Sequence, residues 1–116
     1  MKTQRQSALA GIITDEMKEV ARQEGLSAET IRERVAKGTI AICANINHKN
    51  LKVRGVGEGL STKVNANIGT STAYPDPAPE LKKLDAAIAA GADAVMDLST
   101  GNNIDASRRA IIEHST

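Results

Sequence analysis

Two asparagines, Asn65 and Asn67, lie in the run Lys63-Val64-Asn65-Ala66-Asn67-Ile68-Gly69, and Met96 lies in a second run, Val95-Met96-Asp97-Leu98-Ser99-Thr100-Gly101. Each run reads as a strand that ends in polar residues and glycine. On such a strand Asn65 and Asn67 share one face about 7 Å apart, with Val64, Ala66 and Ile68 on the other. A carboxamide brings donors and acceptors that must all be satisfied, so a paired amide face is costly to bury. It is expected to meet a ligand, water or a polar network. Met96 would add a soft, adaptable thioether. Ligands of α/β sheets bind at the carboxyl ends of parallel strands, so two such ends joined by one helix should line one site.

The elements that position these runs follow from the pattern. Thr14-Asp15-Glu16 offers an N-cap and first-turn acids to a helix in which Ile13, Met17, Val20 and Ala21 recur, and Gly25 stops it. Ser27 caps a second helix with a stripe of Ala28, Ile31 and Val35, and Gly38 takes its C-terminal position. The apolar run Thr39-Ile40-Ala41-Ile42-Cys43-Ala44 predicts a parallel strand covered on both faces, with Cys43 as a small buried residue. A polar connection with Gly55, Gly57 and Gly59 reads as a mobile or tightly turning loop. It precedes a strand, whereas a dinucleotide fingerprint follows one.

After the stiff segment Tyr74-Pro75-Asp76-Pro77-Ala78-Pro79, Glu80 lies in the first turn of a helix whose inward stripe is Leu81, Leu84 and Ile88, ending at Gly91. Ala94-Val95-Met96-Asp97-Leu98 predicts the third strand, and Asp105 opens a last helix with Ile111 and Ile112. The fold class expected is α/β. Residues 1–38 form an N-terminal helical segment of two short helices, and residues 39–116 form the first βα units of an incomplete (β/α)8 barrel with parallel strands. Closure of such a barrel takes about 250 residues.

Composition excludes several classes. The 116 residues allow one domain, and 41% apolar with 25% charged residues rules against disorder. One Tyr with no Phe or Trp leaves a thin core of Ala, Ile, Leu and Val. The 15 basic and 14 acidic residues are interspersed, without a basic stripe interleaved with aromatics, so no nucleic-acid partner is expected. No run approaches the ~18 apolar residues of a membrane span, and no apolar stretch follows the first six residues as in a signal peptide. Cys43 has no partner for an internal disulfide, which fits a cytoplasmic protein. His48 and His114 lack companions at metal-ligand spacing, so no metal site is expected on these residues.

Four ordered phrases carry a resemblance: Gly11-Ile12-Ile13-Thr14-Asp15-Glu16-Met17, Ala44-Asn45-Ile46-Asn47-His48, the Asn65 to Asn67 run, and Ala92-Asp93-Ala94 leading into the Met96 run. From about Gly11 onward the chain resembles the phosphomethylpyrimidine synthase (ThiC) family of thiamine biosynthesis. The resemblance implies a (β/α)8-barrel carbon-carbon lyase of the radical S-adenosylmethionine type. A [4Fe-4S] cluster and S-adenosylmethionine act there on 5-aminoimidazole ribotide to give 4-amino-5-hydroxymethyl-2-methylpyrimidine phosphate. A further divalent metal, zinc, and a homodimer are implied for the full-length protein.

Two substrate-binding positions carry over, Asn67 and Met96. The family's Cys-x-x-Cys-x4-Cys cluster motif and its metal-binding histidines have no match here, so no catalytic, cofactor or metal residue carries over and the chain alone is expected to be inactive. Two alternatives stand beside this reading: 5-hydroxybenzimidazole synthase acting on the same ribotide, and a non-catalytic half-barrel that binds a ligand or a partner chain.

Overall fold

The computed structural model describes residues 2–76, 78–100 and 102–116. Pro77 of the stiff segment and Gly101, the last residue of the Met96 run, lie outside the described residues. The described chain divides into two compact units, residues 1–46 with 52–62, and residues 47–51 with 63–116.

The first unit holds α1 (Gln4–Leu9), α2 (Asp15–Glu24), α3 (Ala28–Lys37), β1 (Ile40–Cys43) and β2 (Arg54–Gly57). Both expected helices form with the expected ends. The Thr14 and Ser27 hydroxyls accept from the amides of Met17 and Thr30, and Gly25 and Gly38 close the helices in the left-handed conformation. A helix not read from the sequence precedes them. α1 is only six residues long, too short to show a periodicity, and a capping box between Thr3 and Gln6 sets its start. Ala8, Met17, Val20, Ala21, Ile31, Val35 and Ile40 form this unit's buried core.

The strand at 39–44 needs a larger correction. β1 is not parallel: it pairs antiparallel with β2, with Ile42 opposite Gly55 and Ile40 opposite Gly57. One face alone is covered, Ile40 being buried and Ala41 and Cys43 exposed, as antiparallel sheets allow. Cys43 is therefore a surface residue and not a buried one.

Two of the three spaced glycines belong to strand β2 and not to a loop. A Cβ on Gly57, whose φ is +144°, would lie 2.1 Å from the Thr39 carbonyl oxygen, so the glycine marks a close backbone approach.

The second unit holds β3 (Asn65–Ile68), α4 (Ala78–Ala89), β4 (Ala94–Asp97) and α5 (Ile104–His114). β3 and β4 are parallel, as the β-α-β order requires. Ile68, Leu84 and Ile111 are buried together, with Leu81, Ile88 and Val95 packed against them. The inward stripe of α4 is thus the one its spacing predicts. Helix α5 is tied to α4 by the ring Nε2 of His114, 2.7 Å from Asp85 Oδ1, while His48 Nε2 lies 3.0 Å from the Ser115 carbonyl oxygen. Among the described residues no helix is long and apolar enough to cross a membrane.

On α2, Glu19 accepts from Arg22 Nε at 2.8 Å and from Gln23 Nε2 at 2.9 Å. These bonds, Arg22 first, lower its carboxyl from 4.5 to about 2. A depressed carboxylate adds stability that is complete above its unfolded value and disappears as pH falls through its folded one. We expect the contribution of Glu19 to be whole above about pH 4.5 and lost between there and about pH 2. Titration of its carboxyl carbon by NMR should give a midpoint near 2; one near 4.5 would contradict the assignment.

Candidate functional site

Strand alternation divides the β3–β4 sheet into two different surfaces. One side carries Ala66, Ile68, Val95 and Asp97, buried or half-buried. Among these, Ile68 and Val95 pack with residues of α4 and α5. The other side carries Asn65, Asn67, Ala94 and Met96, all exposed. Asn67 is directly opposite Met96 in the parallel register, and Asn65 is opposite Ala94. The two sequence-selected residues therefore stand side by side on the uncovered face.

Met96 is 51% exposed and Leu98, next on the same face, is 52% exposed. Asn65 Nδ2 donates to Asn67 Oδ1 at 2.8 Å. This face offers amide donors and acceptors beside a thioether, with no charged side chain among its four strand positions. Such a surface suits a neutral, planar, hydrogen-bonding group better than a bare anion.

The strand ends are held by a polar network on the covered side. The ladder continues past both strands, with the Leu98 amide donating to the Ile68 carbonyl at 2.7 Å and that of Thr100 to the Thr70 carbonyl at 2.9 Å. The Thr70 amide donates to Ser99 Oγ at 3.0 Å, and Ser99 Oγ donates to Asp97 Oδ1 at 2.6 Å. Asp97 also accepts from the Ser99 amide, and its other oxygen lies 3.8 Å from Arg108 Nε. Asp97 and Ser99 thus fasten the strand ends to each other. Three buried oxygens here, Thr70 Oγ1, Asp97 Oδ2 and Ser107 Oγ, have no hydrogen-bond partner among the described residues.

Glu80 completes the network, and no sequence pattern marks it as a site residue. Its side chain is only 3% exposed. One carboxylate oxygen accepts from the Gly69 amide at 2.7 Å and the other from Lys83 Nζ at 2.7 Å. It also lies in the first turn of α4, where the helix dipole favours a negative charge. The sequence signal was the proline followed by an acid, which marks a helix start but not burial. Gly69 has no room for a side chain: a Cβ there would lie 2.6 Å from the Leu98 carbonyl carbon and the Ser99 nitrogen.

After β3 the chain turns at Ser71 to Tyr74, whose backbones exchange hydrogen bonds at 3.2 and 3.1 Å, and Tyr74 is 78% exposed. His48 and His114 take part in the contacts given above. Among the described residues no three His, Cys, Asp or Glu side chains gather where they could hold a metal ion.

The model of the Radical SAM ThiC family matches residues 3–116. A protein named phosphomethylpyrimidine synthase from Thermoanaerobacter sp. (strain X514) is 61% identical over 97% of this chain. Proteins of the same name from Caldanaerobacter subterraneus subsp. tengcongensis and from Desulforamulus reducens are 61% and 62% identical over 98% of it. Each match covers 26% of the relative, so the chain spans about a quarter of the length of these curated relatives.

Removing the Glu80 carboxylate leaves the part-buried Gly69 amide without its acceptor, while the largely exposed Lys83 ammonium returns to water. We expect Glu80→Ala to lower the stability of the second unit by about 1–3 kcal/mol, and Glu80→Gln, which keeps an acceptor for Gly69, by about half as much. Urea unfolding followed by helical circular dichroism gives the size, and hydrogen exchange at the Gly69 amide gives the place. Unchanged protection of that amide in Glu80→Ala would show that the clamp is not what holds it.

Proposed function

The chain belongs to the Radical SAM ThiC family, and from that we propose that it forms the N-terminal part of a phosphomethylpyrimidine synthase, in which Asn67 and Met96 contact 5-aminoimidazole ribotide. The observation that carries this reading is the direct pairing of Asn67 with Met96 on the face that no helix of their unit covers. The product is the pyrimidine phosphate of thiamine biosynthesis.

In this reading β3, α4, β4 and α5 are two successive βα units of a (β/α)8 barrel, and the exposed side of β3–β4 is turned toward its interior. The first barrel strand is then β3 and not the strand at 39–44, because a barrel of this type admits only parallel neighbours and β1 is bonded antiparallel to β2. Both site residues lie toward the carboxyl ends of their strands, where barrel enzymes bind substrate.

The Asn67 amide suits the imidazole or ribose part of the ribotide, since it can donate and accept along fixed directions. Met96 suits the flat face of the ring, through dispersion with a polarizable sulfur. The face is uncharged, so the phosphate is assigned to groups elsewhere. In this reading a [4Fe-4S] cluster with S-adenosylmethionine, and a further divalent metal, would supply the radical chemistry of the full-length protein. The described residues do not fit those groups: Cys43 is alone and exposed on β1, and no three-ligand cluster exists among them. The part assigned to this chain is therefore substrate recognition, and the isolated chain is expected to turn over nothing.

The test is the complete enzyme carrying this sequence, with its cluster reconstituted and its product identified by mass. Wild-type protein should yield the pyrimidine phosphate; a benzimidazole product would replace this reading with the 5-hydroxybenzimidazole one. Asn67→Ala should lower kcat/KM about 10- to 100-fold, corresponding to one or two lost hydrogen bonds, and Met96→Ala about tenfold or less. Wild-type rates in both variants would refute the contact assignment.

A further inference from the structure

We propose that Asn65 is a positioning residue that fixes which end of the Asn67 amide meets the ligand, so that Asn67 presents its NH2 and selects a hydrogen-bond acceptor. The proposal deepens the ribotide reading of this face and rests on it. The ligand atom selected is the unprotonated ring nitrogen or a ribose oxygen, in preference to the exocyclic amine.

A primary amide has nearly the same shape at its two ends and opposite chemistry. An asparagine alone on an exposed strand face can turn over and offer either end. Here strand alternation puts Asn65 and Asn67 on the same side. Asn65 Nδ2 then donates to Asn67 Oδ1 at 2.8 Å.

That bond holds the Asn67 oxygen toward its neighbour. The amide is planar, so its nitrogen is directed away from Asn65, and among the described residues it has no protein partner. Across the ladder stands Met96, which has no hydrogen-bond donor and only a weak acceptor in its thioether, so it does not compete strongly for the NH2 group. Charge does not decide the orientation either, since Asn65, Asn67, Ala94 and Met96 are all neutral. The orientation of Asn67 is coupled to that of the neighbouring amide, with Asn65 as the donor of the pair, and Asn65 acts on the ligand only through Asn67.

Two substitutions separate this role from simple support. Asn65→Asp can only accept, so Asn67 must turn its NH2 toward residue 65 and present oxygen to the ligand. The side-chain hydrogen bond survives, and folding is little changed. Asn65→Ala removes the constraint and leaves Asn67 free to turn.

In the complete enzyme we expect KM for the ribotide to rise about tenfold or more in Asn65→Asp, and only about two- to fourfold in Asn65→Ala, with kcat affected less than KM in both. Equal KM values in the two variants, or a larger effect in Asn65→Ala, would overturn the proposal while leaving the ribotide reading intact.

A second measurement does not depend on activity. In the 116-residue chain labelled with 15N and 13C, scalar coupling across the hydrogen bond should connect Asn65 Nδ2 to the Asn67 side-chain carbonyl carbon. The reverse connection, or none, overturns the proposed orientation. If wild-type enzyme fails to convert the ribotide, the function reading fails and the coupling still decides how the two amides are arranged.

Discussion

The parallel pairing of β3 with β4 carries the site, because neither strand alone puts an amide beside a thioether. A shift of one residue would set Val95 or Asp97 against Asn67, exchanging the exposed neighbour for one that belongs to the covered side. The pairing is pinned at both ends. At the start, the Val64 carbonyl accepts from the amides of Asp93 and Ala94, and the Val64 amide donates to Asp93 Oδ2 at 2.9 Å. At the finish the ladder runs on to Thr70 and Thr100. A slipped β3 would also turn Ile68 away from Leu84 and Ile111, at a cost of about 1.5–3 kcal/mol for that side chain alone.

The two faces of this sheet divide the chemistry between them. Charged groups of the network, Glu80 with Lys83 and Asp97 with Arg108, sit at the strand ends on the covered side, where each carboxylate has a hydrogen-bond donor to offset its desolvation. The uncovered face keeps only neutral polarity. Charge is thereby used to hold the backbone, and direction-dependent hydrogen bonding is left for recognition. The same division explains why Asp97, next to Met96 in the chain, serves the fold: alternation sends it to the other side.

Local signals in the sequence are legible where one residue type dictates one geometry. Thr14 and Ser27 as N-caps, Gly25 and Gly38 as left-handed terminators, and the Leu81, Leu84, Ile88 stripe all depend on neighbours within a turn or two. The shared face of Asn65 and Asn67 follows from strand alternation in the same way. What the sequence conceals depends on partners distant in the chain. The run at 39–44 has the composition of a doubly covered parallel strand, yet its partner is β2, whose glycines conceal it from any propensity. Gly57 is there because the Thr39 carbonyl leaves no space for a side chain, a fact of packing that no local pattern displays. The burial of Glu80 was hidden likewise, since an acid after a proline ordinarily belongs to a solvated first turn.

Tyr74 is the one aromatic residue of the chain and stands largely in solvent on the loop after β3. Neither core contains a chromophore, so near-ultraviolet absorbance and intrinsic emission are blind to packing in this molecule. That silence has a use: a heterocycle seated against Asn67 and Met96 would absorb against an almost dark background, and its own spectrum would report its surroundings.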